Sequence, residues 1–319
     1  MGLVTYGYDK YFYYISPNNL MMTSLMEIGF YETGIGLNIF YRYWPGRDLQ
    51  ENVILCIHGL AGDSRIFNYF AEKTSNLGYN VYAIDLPGFG MSSGEKGDVP
   101  FDHTMNCLHD FLTQIGNKHG NAKIFLLGFS LGGLHALWYA SLHKETISGT
   151  IALAPHLRIK GVKRDPTREP SKRVILTALV RYFITPSKKG NLSKAIPSAF
   201  GELAGDEWVY MMKDPLCNFD YSYRYTFNVL TGKAEKVEEL YRMKSPVLIL
   251  HGTKDPVVLL KQSEVLLNRL DSKDKDLKVF DCDHWFYHAF FYTQENKYSD
   301  TDRMSVVKTI HEWIQNRTT

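Results

Sequence analysis

The spacing of apolar and polar positions changes along the chain, and each change marks an element. Residues 27–43 alternate apolar and polar around Gly34 and Gly36, a period of two broken by a turn, which predicts a hairpin of edge strands. Residues 52–57, Asn-Val-Ile-Leu-Cys-Ile, form a nearly continuous apolar run. A run of strand length without alternation fits a strand buried on both faces. A helical pattern over 66–77 ends at Gly78, and the same reading predicts strands at 80–84, 123–127 and 147–153, with helices near 104–115 and 131–143. Strands alternating with helices imply βαβ units and a parallel sheet covered on both sides.

The alternation stops after Pro155. Between 157 and 194 stand eleven Lys or Arg against Asp165 and Glu169, a local excess of +9, with an apolar helical stretch at 174–184. From 197 to 240 the pattern stays helical, carries Trp208, Tyr210, Met211 and Met212, and holds no buried-strand run. The parallel pattern then resumes with strands at 247–250 and 277–280 and helices at 258–270 and about 302–315. The expectation is an α/β fold: a tyrosine-rich arm (1–24), a core in two parts (25–156 and 240–319), and a helical cap or lid over 157–239. Insertions of that length normally have their own structure and a job.

Composition narrows the class. The chain has 319 residues, 45% hydrophobic and 22% charged, which excludes collagen-like, coiled-coil and disordered proteins. Its net charge of +2 gives no reason to expect a nucleic-acid partner. That sum is a cancellation between the basic stretch and an acidic remainder. Cys56, Cys107, Cys217 and Cys282 are far apart with no C-x-x-C pair, so neither a zinc site nor a disulfide framework is predicted, and reduced thiols in a cytoplasmic protein are expected. The first residues lack the order of a signal peptide, and no apolar run reaches the ~18 residues of a membrane span.

The candidate chemistry begins at Gly128-Phe129-Ser130-Leu131-Gly132, where a predicted strand runs into G-x-S-x-G and then into a helix. The same pattern occurs at Gly90-Met91-Ser92-Ser93-Gly94, without a flanking strand or helix. Only the Ser130 copy has the context of a nucleophile elbow, in which small residues let strand and helix approach while the serine projects at the sheet edge. A serine nucleophile needs a base and the base an orienting acid, in the chain order Ser, acid, His. Asp255 lies in a turn just past the strand 247–250, and His284 just past the strand 277–280, the places where acid and base belong. His288 competes with His284, since a helical segment there would put both on one side. Two backbone N–H donors are needed for an oxyanion. Leu131 follows the serine directly, and Leu60 in the loop His58-Gly59-Leu60-Ala61-Gly62 is the expected second donor. His58 precedes the serine and sits in a glycine turn, so a structural role is expected for it.

With these motifs in order, the chain resembles an α/β-hydrolase, and within that superfamily the monoacylglycerol lipase, lysophospholipase and serine aminopeptidase group. The matching residues are His58-Gly59-Leu60, Asp85 to Ser92, Gly128 to Gly133, His251-Gly252-Thr253-Lys254-Asp255 and Asp283-His284. The resemblance implies hydrolysis of a carboxylic ester, monoacylglycerol-like, lysophospholipid-like or of short to medium acyl chain, through Ser130, His284 and Asp255 and an acyl-enzyme, with no metal or organic cofactor. Phe129, Trp208, Met211 and Trp285 are candidate substrate contacts. Contact of the basic lid with anionic lipid is weighed against a plain solvated face. Aminopeptidase, thioester or C–C bond cleavage is the alternative, with Glu202, Asp206 and Glu207 available to meet a free amine, and a non-enzymatic ligand sensor is a third reading.

Overall fold

A computed structural model describes residues 26–47, 52–143, 146–159, 162, 172–194, 207–231, 237–292 and 298–318. The N-terminal arm, most of the basic stretch before residue 172, and the candidates Glu202 and Asp206 lie outside the described residues.

The centre is an eight-stranded sheet in the order β1-β2-β4-β3-β5-β6-β9-β10. Its first pair, β1 (Glu27–Glu32) and β2 (Asn38–Trp44), is the predicted hairpin, paired antiparallel. Of these two strands only β1 is an edge, because β2 also pairs antiparallel with β4 (Asn80–Ile84). The strands β3 (Val53–Ile57), β4, β5 (Ile124–Phe129), β6 (Gly149–Leu153), β9 (Val247–Gly252) and β10 (Lys275–Phe280) run parallel.

Period-two geometry divides the core between two layers. In β3, Val53, Leu55 and Ile57 join a cluster with α2 (Phe101–His119) and α3 (Leu131–Leu142), while Ile54 and Cys56 join a second cluster with α1 (Asn68–Ser75) and α8 (Asp300–Gln315). α7 (Leu260–Arg269) follows β9 as a crossover. Helix–sheet approach is close where β6 carries glycine: a Cβ at Gly149 would lie 2.7 Å from Trp313 of α8. No helix among the described residues is long and apolar enough to cross a membrane.

Between β6 and β9 lie α4 (Lys172–Ile184), β7 (Lys189–Asn191), a helical stretch at 207–213, β8 (Asp220–Ser222), α5 (Tyr223–Thr231) and α6 (Val237–Tyr241). The sequence predicts helix alone here, whereas β7 and β8 form an antiparallel ladder. Strands of three residues are too short to carry a legible period. Asp98 ties this segment to the core, accepting two hydrogen bonds at 2.6 Å from the Arg224 guanidinium and one from the Ser222 hydroxyl. Arg65 ties it on the other side, bridging Asp63 and, at 2.9 Å, Asp214.

Candidate active site

The parallel register gathers the predicted residues at one sheet edge. Phe129 at the end of β5 is level with Leu153 of β6, Leu153 with Leu250 of β9, and Gly252 with Phe280 of β10. The residues that follow these strands (Ser130 after β5, Asp255 after β9 and His284 after β10) therefore emerge on the same C-terminal side.

Ser130 is held in a conformation that L residues rarely adopt, φ 53° and ψ −115°, as the N-cap of α3. Such a residue costs of order 1–3 kcal/mol and persists only where its surroundings fix it. Here its N–H donates to the Leu153 carbonyl (2.8 Å), and its own carbonyl accepts from the His156 N–H (3.0 Å) and the Leu134 N–H (3.2 Å). The turn also requires glycine on both flanks. A Cβ at Gly128 would lie 2.1 Å from the Gly132 carbonyl oxygen, and one at Gly132 would lie 2.1 Å from that of Ile57.

Asp255 is buried, and both carboxylate oxygens are used. Oδ1 accepts from the N–H groups of Val257 (2.7 Å) and Val258 (2.8 Å), and Oδ2 lies 2.7 Å from His284 Nδ1. Burial pushes this carboxyl up, but the His284 imidazole, His251 and the Val258 N–H outweigh it and hold Asp255 below its ordinary value. It is therefore an anion at neutral pH, able to orient an imidazole whose Nε2 is the remaining nitrogen. His284 is buried, with its ring against Phe129 (centroids 4.8 Å) and Trp285 (5.5 Å).

The loop from His58 to Gly62 lies beside the serine. A Cβ at Gly59 would lie 3.1 Å from that of Ser130. The Gly62 N–H closes a turn onto the Gly59 carbonyl at 3.2 Å, with Ala61 at φ 59°. Among the described residues, neither the Leu60 nor the Leu131 N–H donates to a backbone or side-chain acceptor. Leu131 is the first residue of α3, where the N–H has no partner within the helix.

The rival residues are occupied elsewhere. The Ser92 hydroxyl donates to the Asp85 carbonyl and accepts from the Phe40 N–H, which pins the Pro87–Gly94 loop to β2. His58 is fully buried, its Nε2 accepting from the Leu86 N–H (2.9 Å) and its Nδ1 donating to the Gly59 carbonyl (2.8 Å). His288 does not pair with Asp255. Phe286, Tyr287 and His288 all have positive φ, and this left-handed turn carries His288 to Glu207, with whose carboxylate its Nε2 shares a buried hydrogen bond.

Phe129, Met211 and Trp285 sit together in the second core cluster, with Trp208 packed against it and edge-on to Phe219 (5.0 Å). Of these, Phe129 and Trp285 lie against the His284 ring. Sequence reasoning named His251 within its motif but gave it no role; it is buried 3.4 Å from Asp255 Oδ2 and bound to the Ser263 hydroxyl and the Val258 carbonyl. Burial lowers its pKa, so it braces the acid as a neutral ring. Sequence reasoning missed the Asp63–Arg65–Asp214 bridge, for which no local pattern gives a signal.

The model of the serine aminopeptidase S33 family matches residues 49–295, which takes in the serine turn, both strand-end residues and the segment between β6 and β9. The chain belongs to this family. Its fold is that of the α/β-hydrolases. Among similar curated proteins, the monoglyceride lipase of Rattus norvegicus is 22% identical over 284 residues, covering 88% of each chain. The monoglyceride lipase of Saccharomyces cerevisiae is 27% identical over 310 residues, covering 91% of this chain and 93% of that one. Among solved structures, the monoacylglycerol lipase of Paleococcus ferrophilus superposes with a TM-score of 0.68 at 25% identity, over 86% of this chain and 99% of that one.

Proposed function

We propose that this S33-family hydrolase cleaves carboxylic esters, monoacylglycerol-like or of short to medium acyl chain, through a Ser130–His284–Asp255 triad and an acyl-enzyme. The observation that carries the reading is the 2.7 Å contact between His284 Nδ1 and Asp255 Oδ2, on the sheet edge where Ser130 sits in its strained turn. His284 Nε2 takes the proton from the Ser130 hydroxyl as Oγ attacks the ester carbonyl. Asp255 fixes the tautomer and stabilises the imidazolium. The N–H groups of Leu60 and Leu131 receive the oxyanion, each such donor being worth ~3–4 kcal/mol in the transition state. His284 then protonates the departing alcohol, and water, activated by the same ring, releases the acid. The monoglyceride lipases among its relatives support the ester class.

The segment between β6 and β9 serves in this reading as a lid with affinity for lipid. Leu176, Val180, Phe183 and Ile184 of α4 are each 46–73% exposed and recur at i, i+4, i+7 and i+8, one apolar stripe of the helix. Arg173, Arg181, Lys188 and Lys189 flank it on the surface, the arrangement of a helix that rests on an anionic interface. The aminopeptidase alternative needs a carboxylate free to hold an amine. Glu207, its described candidate, is buried against His288, which favours the ester reading.

The deciding experiment is a chain-length series of p-nitrophenyl esters and monoacylglycerols beside aminoacyl arylamides, with wild type and Ser130→Ala. Ester turnover that vanishes in the variant is expected. Arylamide turnover exceeding ester turnover would move the assignment to the aminopeptidases.

A further inference from the structure

A cavity of about 370 Å³ lies between α2, α3 and α5. It contains none of Ser130, Asp255 and His284, yet Leu131, next to the serine, is part of its wall. The inner part is buried and mostly apolar, made by Leu86, Phe89, Leu131 and Leu134. Two polar side chains are buried in the same wall, Thr104 and His135, 6% and 5% exposed, and the Nδ1 of His135 has no hydrogen-bond partner. A buried polar atom left unpaired costs ~1–3 kcal/mol; Nδ1 is closed even to water, so a hydroxyl or carbonyl group in the cavity meets the ring through its other nitrogen, Nε2. Burial, with His58 nearby, lowers the His135 pKa to about 3, so the ring is neutral and offers one donor and one acceptor. Toward the surface the lining turns polar. The Asp98–Arg224 pair, exposed Asp102 and half-buried Asn228 sit there.

We propose that this cavity is a binding site for a small neutral molecule with an apolar ring or chain and one hydroxyl or carbonyl group, the polar group meeting His135. The volume lies within the range of small-molecule sites, and an apolar wall with a few converging polar atoms is their usual composition. Charge selects against acids: Asp98 and Asp102 face a single cation, Arg224, so the lining carries one excess negative charge. Phe101, packed tilted against the His135 ring at 5.4 Å, and Tyr225 supply flat surfaces for an aromatic guest.

The test uses the full chain carrying Ser130→Ala, so that ester turnover plays no part, titrated calorimetrically with 4-ethylphenol and with 4-ethylbenzoate. Saturable binding of the phenol is expected, with the benzoate at least tenfold weaker. Adding His135→Phe should weaken the phenol by about tenfold, the size of one hydrogen bond. Adding Val229→Trp, which fills the cavity from its half-buried wall on α5, should abolish binding and is read independently should His135→Phe fail to fold. No saturable binding of the phenol, equal affinity for the benzoate, or an affinity unchanged by Val229→Trp would each overturn the proposal.

Discussion

His284 Nδ1 lies 2.7 Å from Asp255 Oδ2, a contact made between the loops after two adjacent parallel strands. Because Gly252 and Phe280 are paired in register, the three residues from Gly252 to Asp255 and the four from Phe280 to His284 close on each other without a long excursion. Asp255→Asn should leave the fold intact and lower kcat by ~10⁴, since an amide in place of the carboxylate favours the wrong imidazole tautomer. Circular dichroism beside steady-state kinetics on a p-nitrophenyl ester checks it, and a loss under tenfold would remove Asp255 from the proposed triad.

Two serines in the same local motif should separate cleanly. Ser130→Ala is expected to lose ~10³–10⁶ in kcat with little change in Tm. Ser92→Ala should keep its kcat within a few-fold but lose ~1–3 kcal/mol of stability, because it strips partners from the Phe40 N–H and the Asp85 carbonyl. Denaturant melts and ester kinetics on the two variants decide the matter, and the opposite pattern would reverse the assignment.

Gly132→Ala should be among the most damaging single-methyl additions in the chain. Its Cβ would stand 2.1 Å from the Ile57 carbonyl oxygen and 2.4 Å from that of His58, backbone atoms of β3 and its loop that cannot rotate away. A loss beyond ~3 kcal/mol is expected, at the upper end of overpacking costs. Soluble yield and the urea midpoint measure it; a wild-type midpoint would mean that strand and helix stand further apart.

Acid should weaken the fold before it protonates the carboxylates. Burial lowers the pKa of His135 to about 3, and those of His58 and His251 below the ordinary 6.5. Their unfolded forms bind protons that the folded forms refuse, so stability is full above pH 6.5 and declines below it. For His135 the decline runs to about pH 3, at up to ~1.4 kcal/mol per pH unit. Asp255, whose folded pKa is depressed, contributes stability that is lost only below its ordinary 3.8. Urea midpoints between pH 7.5 and 4.5 should fall in wild type and fall less steeply in His135→Gln; parallel slopes would contradict the burial of that ring.

The apolar stripe on α4 should matter for aggregated substrate alone. Phe183→Asp, at a side chain 72% exposed, should lower turnover of micellar monoacylglycerol several-fold and leave p-nitrophenyl acetate untouched. Equal rates on both substrates would make the stripe an ordinary surface.

The core was legible because its signals are local. A strand buried on both faces must read as a continuous apolar run, as 52–57 does, and a strand-to-helix turn of this tightness must carry glycine at 128 and 132, where any Cβ meets backbone. The order serine, acid, histidine and their positions after strands were likewise open to inspection. What the chain by itself determined is therefore the α/β class, the two-part core and a short set of candidates for each chemical role. Tertiary structure decided among them. It gave Asp255 to His284 and sent His288 to Glu207 through a left-handed turn that no periodicity announces. It built the three-residue ladder of β7 and β8, and it placed His251 behind the acid. These choices rest on contacts between residues far apart in the chain, and the energy of a contact depends on which groups meet in space, a quantity that local spacing does not contain.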